Sequence, residues 1–222
     1  MIKRIVLTAT ILAALAAVAV PAYAAITVYK NNFSSKADYH ALTKQSGKAK
    51  KCKRNWRKKS ALGVTVKGGK QNCALKTPVE GDSLRPDLIV QADAKVTAKT
   101  QKATRRSAYV GVSVRSSRKK GYVFRVFPKT NRWELLKNRV VVKKGNDKAV
   151  KGMKKHNKLL ISAKSDKILG KVNGKTQVKY KDPAADEVDG LGTGLVYGIS
   201  QKVKKKEAVA FFDGLKVGVP KP

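Results

Sequence analysis

From Ile26 onward, apolar side chains return at every second position in short runs, and glycine and asparagine cut the runs apart. That period places alternate residues on opposite faces of an extended chain, so each run reads as a β-strand with one buried face. Val110, Val112 and Val114, alternating with Gly111, Ser113 and Arg115, are the clearest case. The pattern predicts strands over 26–29, 61–67, 71–75, 87–98, 107–115, 122–128, 132–136, 139–143, 158–164, 168–172, 175–180, 194–200 and 207–217. Asn173-Gly174, between Val172 and Val178, predicts a hairpin, because both central positions of a type I′ turn need positive φ. Gly68-Gly69 and Gly214 punctuate the chain in the same way. Helical signals are short: Ser35-Lys36-Ala37-Asp38 has the form of a capping box, and 147–157 places Val150 and Met153 on one helical face. Many short strands with turn residues between them predict an all-β, two-sheet antiparallel sandwich with one or two short helices. Nothing marks a boundary within 25–222, which reads as a single domain.

Residues 1–24 read as a secretory signal. Lys3 and Arg4 form the charged start, 5–20 is apolar, Pro21 breaks a helix, and Ala22-Tyr23-Ala24 supplies the small residues of a cleavage site. The apolar run is short for a membrane span. Cleavage near Ala24 would leave 198 residues in a free exported protein, secreted or associated with the cell envelope. The C-terminal Val219-Pro220-Lys221-Pro222 carries no apolar tail. Both cysteines, Cys52 and Cys73, lie in the mature part, and an even count in an oxidising compartment predicts one disulfide. The alternative, a redox pair, has the wrong spacing, because 20 residues separate them. Two Cys and two His leave little for a His/Cys metal site.

Several segments, in order, resemble the concanavalin A-like lectin/glucanase jelly roll. Tyr109 to Arg115 is similar to its central strand, and Gly121-Tyr122-Val123-Phe124-Arg125-Val126 to the partner strand, with Trp133-Glu134-Leu135 next. Lys158 to Ile161 with Val172-Asn173-Gly174 resembles a later hairpin, and 192–198 with 209–217 resembles the closing strands. Asn32-Phe33 fits the opening strand, which in that fold lies beside the last one. The likeness is to exported bacterial domains related to laminin G-like, family 16 glucanase and 3-keto-disaccharide hydrolase-like domains. It implies a jelly roll and carbohydrate binding on the concave sheet.

The glucanase chemistry that the resemblance would bring is not intact. A retaining glycosidase needs two carboxyls about 5–5.5 Å apart. The family sets its acids as E-x-D-x-x-E on one strand, whereas Glu80-Gly81-Asp82 is followed by Leu84 and Arg85 and flanked by Pro78 and Pro86. Glu134 stands alone on its strand. Asp186, Glu187 and Asp189 beside Gly190 and Gly192 read as a solvated turn or, alternatively, a structural calcium site. His40 and His156 sit in no triad pattern, and Gly190-x-Gly192-x-Gly194 precedes no helix, so it is not a phosphate loop.

Charge is the remaining strong signal. The chain has 50 Lys plus Arg against 14 Asp plus Glu, a net charge of +36, of which residues 1–24 contribute two. Internal pairing cannot neutralise this excess, so the surface carries a strong positive field that attracts polyanions. The densest runs hold Lys50, Lys51, Lys53, Arg54, Arg57, Lys58 and Lys59 around Trp56, then Arg118, Lys119 and Lys120, then Lys204, Lys205 and Lys206. The run at 48–59 reads as an ordered loop, since Cys52 and Trp56 lie inside it. No nucleic-acid-reading motif is present, so sequence-specific recognition is not expected, while nonspecific binding at low salt is. Trp56, Tyr122 and Trp133 are candidate sugar platforms, with Arg115 and Arg125 as donors; core packing is the competing reading for Tyr122 and Trp133. Arg115 shares a face with Gly111 and Ser113, while Tyr122 and Arg125 have opposite parity. The expectation is noncatalytic polysaccharide binding, favouring anionic polymers and needing no cofactor. The alternatives are an enzyme with a rearranged acid set and adhesion by charge alone.

Overall fold

The computed structural model describes residues 25–48, 50–57, 61–80, 87–117, 120–188, 190–201 and 207–220. Its strands are β1 (Ala25–Asn31), β2 (Thr43–Ser46), β3 (Cys52–Arg57), β4 (Ala61–Lys67), β5 (Gln71–Glu80), β6 (Leu88–Val96), β7 (Ala108–Ser116) and β8 (Tyr122–Phe127). They continue as β9 (Arg132–Lys137), β10 (Val140–Asn146), β11 (Asn157–Lys164), β12 (Lys167–Val172), β13 (Lys175–Lys181), β14 (Gly192–Ile199) and β15 (Glu207–Pro220). One short helix, α1 (Lys36–Ala41), follows β1. No helix among the described residues is long and apolar enough to cross a membrane.

Two antiparallel sheets face each other. Sheet A runs β13-β12-β11-β6-β15-β4-β3, with β1 paired to the C-terminal part of β15. Sheet B runs β10-β9-β8-β7-β14-β5-β2. The alternation seen in the sequence decides which side chains lie between them. Leu88, Val90, Ala92, Ala94 and Val96 of β6 meet Val110, Val112 and Val114 of β7 in one buried cluster with Phe124, Leu135, Tyr197 and Phe212. Each of the Val, Leu and Phe side chains among them contributes roughly 1.5–3 kcal/mol by leaving water. Cys52 of β3 and Cys73 of β5 are bonded, with 5.9 Å between their Cα atoms, and tie sheet A to sheet B.

Local chemistry explains the matches and the departures. Asn173 and Gly174 take φ of 50° and 85°, the turn their side chains predict. Ser35 and Asp38 form the capping box of α1. The expected helix at 147–157 is instead a loop. Asp147 Oδ1 accepts the Ala149 N–H at 2.7 Å, and Asn157 binds both the N–H and the carbonyl of Lys151. These side-chain bonds offer the backbone an alternative to helix, yet Val150 still reaches the core. Half of the basic stretch at 48–59 is not a loop: 52–57 forms edge strand β3. Lysines on an edge strand discourage pairing with another chain, so the charge run and the strand are compatible. The hairpins β7-β8 and β9-β10 are stitched together where Gly121 N–H donates to Asn138 Oδ1 (3.0 Å) and Asn138 N–H to the Gly121 carbonyl (2.9 Å).

Candidate functional site

On sheet B, the residues alternate to the core-facing ones form an open outer face. Its centre is low because the side chains there are small: Gly111, Ser113, Gly194, Gly198 and Ala74. A Cβ on Gly111 would lie 2.8 Å from Val196 Cγ2 and from Arg125 Cβ, so the floor cannot easily be raised. On this face a groove of about 970 Å³ reaches from Lys44 and Gln45 of β2, past Asn72, Tyr109 and Arg125, to Val141 of β10. Lys44, Lys48, Lys70, Arg125 and Arg139 line it, and among the described residues no acidic side chain does. Leu136 and the half-exposed Val141 make one end apolar.

The lining residues Tyr109 and Arg125 belong to an aromatic and guanidinium stack. The Tyr109 and Phe127 rings lie 5.6 Å apart. Arg125 sits 4.5 Å over Tyr109, and Arg132 sits 3.9 Å over Phe127, both within cation–π range. Glu134 accepts Arg125 Nε at 2.8 Å and Nη2 at 2.6 Å, and Arg132 approaches its other oxygen at 3.3 Å. Both carboxylate oxygens are therefore engaged by guanidiniums behind the groove lining. The Tyr109 hydroxyl donates to Asn72 Oδ1, which fixes that amide's orientation. Burial pushes the Tyr109 phenol well above the ordinary tyrosine range, and Arg125 offsets this only in part. Such a phenol donates hydrogen bonds but is a poor general base. The seven strands of sheet B contain two acids, Glu134 and Glu80.

The residues singled out from the sequence disperse. Arg125 lines the groove. Trp133 packs in the core, 6.2 Å from the Phe124 ring, and Tyr122 is likewise buried between the sheets. Arg115 departs from its expected face: it has φ of 47°, and the β7-β14 register shifts beside it, with Gly194 opposite Ser113 but Gly192 opposite Ser116. Its guanidinium is buried and pairs with Asp87 at 3.0 Å, so it does not reach the groove. Trp56 is half-buried on β3 and donates Nε1–H to the Phe33 carbonyl. Arg54 turns inward to the Tyr39 and Leu42 carbonyls and lies 4.7 Å from the Tyr39 ring. Lys50, Lys51, Lys53 and Lys120 are exposed. Lys58, Lys59, Arg118, Lys119, Lys204, Lys205, Lys206, Asp82, Asp189 and the side chains of Arg57 and Glu80 lie outside the described part, as does the segment 1–24. Among the described residues, no three His, Cys, Asp or Glu side chains converge as metal ligands do.

Sequence reasoning passed over Tyr109, Phe127, Lys44, Lys70 and Arg139. Parity alone puts Tyr109 on the face of Gly111 and Ser113. The other residues join it only through strand order, which brings β14, β5 and β2 alongside β7.

No family model matches the chain, and no curated protein matches it. Solved structures do. A carbohydrate-binding module, CBM66, from Bacillus subtilis is 14% identical with a TM-score of 0.55, over 80% of this chain and 95% of that one. A Bacillus subtilis protein of unknown function with a galectin-like fold is 11% identical with a TM-score of 0.61, over 88% and 97%. The Bacillus licheniformis beta-glucanase is 8% identical with a TM-score of 0.54, over 87% and 98%. Two antiparallel sheets, the first strand beside the last, and these likenesses make the fold a concanavalin A-like jelly roll.

Proposed function

We propose that the protein is an exported, noncatalytic polysaccharide-binding domain that holds an anionic chain in the groove over sheet B. The observation that carries this reading is the lining itself: among the described residues it holds five cationic side chains and no acid. The groove crosses six inter-strand spacings, about 29 Å at roughly 4.8 Å each, which accommodates several linked sugar rings. Leu136 and Val141 offer apolar contact to ring faces at one end, while lysines attract the chain as point charges. The likeness to a carbohydrate-binding module supports the ligand class. Against hydrolysis stands Glu134, engaged by two guanidiniums and without a described carboxylate partner across the face.

A second reading is adhesion by charge alone. It is favoured by the outer face of sheet A, where register places Lys164 opposite Lys167 and Lys167 opposite Lys181. Salt separates the two. Binding of an acidic polysaccharide that survives about 0.5 M NaCl, where the Debye length is only a few ångströms, and that weakens severalfold in the Lys44→Ala, Lys70→Ala double variant supports the groove. Complete loss at that salt leaves adhesion by charge. Shortened sugar products would overturn the noncatalytic assignment.

A further inference from the structure

Beside the groove, and sharing Gln45, Ser46, Asn72 and Arg139 with it, lies a recess of about 50 Å³. Ser113 stands among its lining residues. Ser113 is 1% exposed, and its Oγ has no hydrogen-bond partner among the described residues. A buried hydroxyl without a partner is costly, which makes it unusual in a native fold. The strand neighbour on one side is Gly194, and a Cβ there would come within 3.2 Å of Ser113 Oγ, so the glycine keeps that space clear. Several other polar groups of the lining are already engaged. Ser116 Oγ donates to the Gly192 carbonyl at 3.0 Å and Gln45 Nε2 reaches Ser116 Oγ at 3.4 Å, while Asn72 Oδ1 takes the Tyr109 hydroxyl. Lys120 and Arg139 bring positive charge to the lining, and no acid is present among its described residues.

We infer that this recess is a carboxylate subsite: the polymer in the groove is a polyuronate, and one of its carboxylates enters the recess to accept the Ser113 hydroxyl between Lys120 and Arg139. The inference rests on the groove reading above and narrows its ligand. Size supports it. A single water needs roughly 10–15 Å³ of such space, so the recess holds a group of a few heavy atoms but not a sugar ring. The ring stays in the wide groove and its carboxylate reaches sideways. An ionised carboxylate is an acceptor only, which suits a hydroxyl donor flanked by cations.

The test is calorimetric titration of residues 25–222 in about 0.5 M NaCl with tetragalacturonate, with its methyl ester and with a sulfated tetrasaccharide of equal charge. Ser113→Ala removes the donor, and Ser113→Val also fills the recess while keeping a strand-forming side chain. Thermal melts confirm that both fold. The wild type should bind the acid about tenfold more tightly than the ester, since a hydrogen bond to a charged group is at stake. Both variants should lose about tenfold against the acid and nothing against the ester. Equal affinity for acid and ester, or variants that bind the acid like the wild type, would overturn the subsite while leaving the groove in place. Equal, Ser113-dependent binding of the sulfated sugar would overturn the carboxylate assignment. No binding of any of the three would overturn the groove reading and the subsite with it.

Discussion

Asp182 is 2% exposed and takes the Tyr122 hydroxyl on one oxygen and Lys137 Nζ, at 2.9 Å, on the other. Burial alone would raise its pKa, but the bonds from Tyr122, Lys137 and the Ala184 N–H outweigh burial and hold the carboxyl below the usual aspartate range. A carboxyl whose folded pKa is depressed stabilises the fold fully above its unfolded pKa of about 3.9, and that stability is lost as pH falls through the folded value. Asp147, lowered by Lys175 and the Ala149 N–H, titrates in the same sense. The protein should therefore lose stability below about pH 4. Asp182→Asn should cost roughly 3 kcal/mol at neutral pH by removing the nearer and buried of the two carboxylates that Lys137 pairs with, Glu187 being exposed and 3.9 Å away, and should flatten the acid limb of a Tm-against-pH series. An unchanged acid limb would show that other carboxyls dominate it.

Strand β3 shows what the elements add. It is a basic edge strand held by β4 on one side and by the disulfide to β5. The bridge spans 21 positions and so contributes about 3 kcal/mol by restricting the unfolded chain. Reduction, or Cys52→Ser with Cys73→Ser, should lower Tm by about 6–12 °C in a domain of this size. A second effect follows from position. Gly47, whose backbone packs against Cys52 Sγ, and Lys48 both line the groove. Loss of the bridge should therefore weaken polysaccharide binding as well as stability, and a titration below the melting range checks this. At the floor, Gly111→Ala should destabilise by about 1–3 kcal/mol through overpacking against Val196 and Arg125.

Across the whole molecule, +36 charges dominate encounter rather than recognition. Nonspecific nucleic acid should bind at low ionic strength with a steep loss as salt rises, in a gel-shift or anisotropy series. Groove-bound sugar should show a shallower salt slope, because hydrogen bonds and ring contacts persist when charges are screened. Parallel slopes for the two ligands would indicate that one diffuse field accounts for both. Export of the chain is a separate expectation, checked by the N-terminal sequence of the mature protein, which should begin near Ala25.

What the sequence determined by itself was whatever depends on near neighbours. Alternation in 108–116 and 122–127 fixed which side of each strand faces the core, because side chains on a strand alternate with a period of two. The turn at Asn173-Gly174, the α1 capping box and the cysteine pairing were legible for the same reason or by simple count. Strand β2, Thr-Lys-Gln-Ser, carries no apolar alternation, and β3 is masked by its charge, so both escaped that pattern. Tertiary structure alone decided the site. Sheet order sets β14, then β5 and β2, on one side of β7, and a bulge turns Arg115 away to Asp87. These are long-range pairings, and their energies depend on which strands meet, a property that no short stretch of sequence encodes.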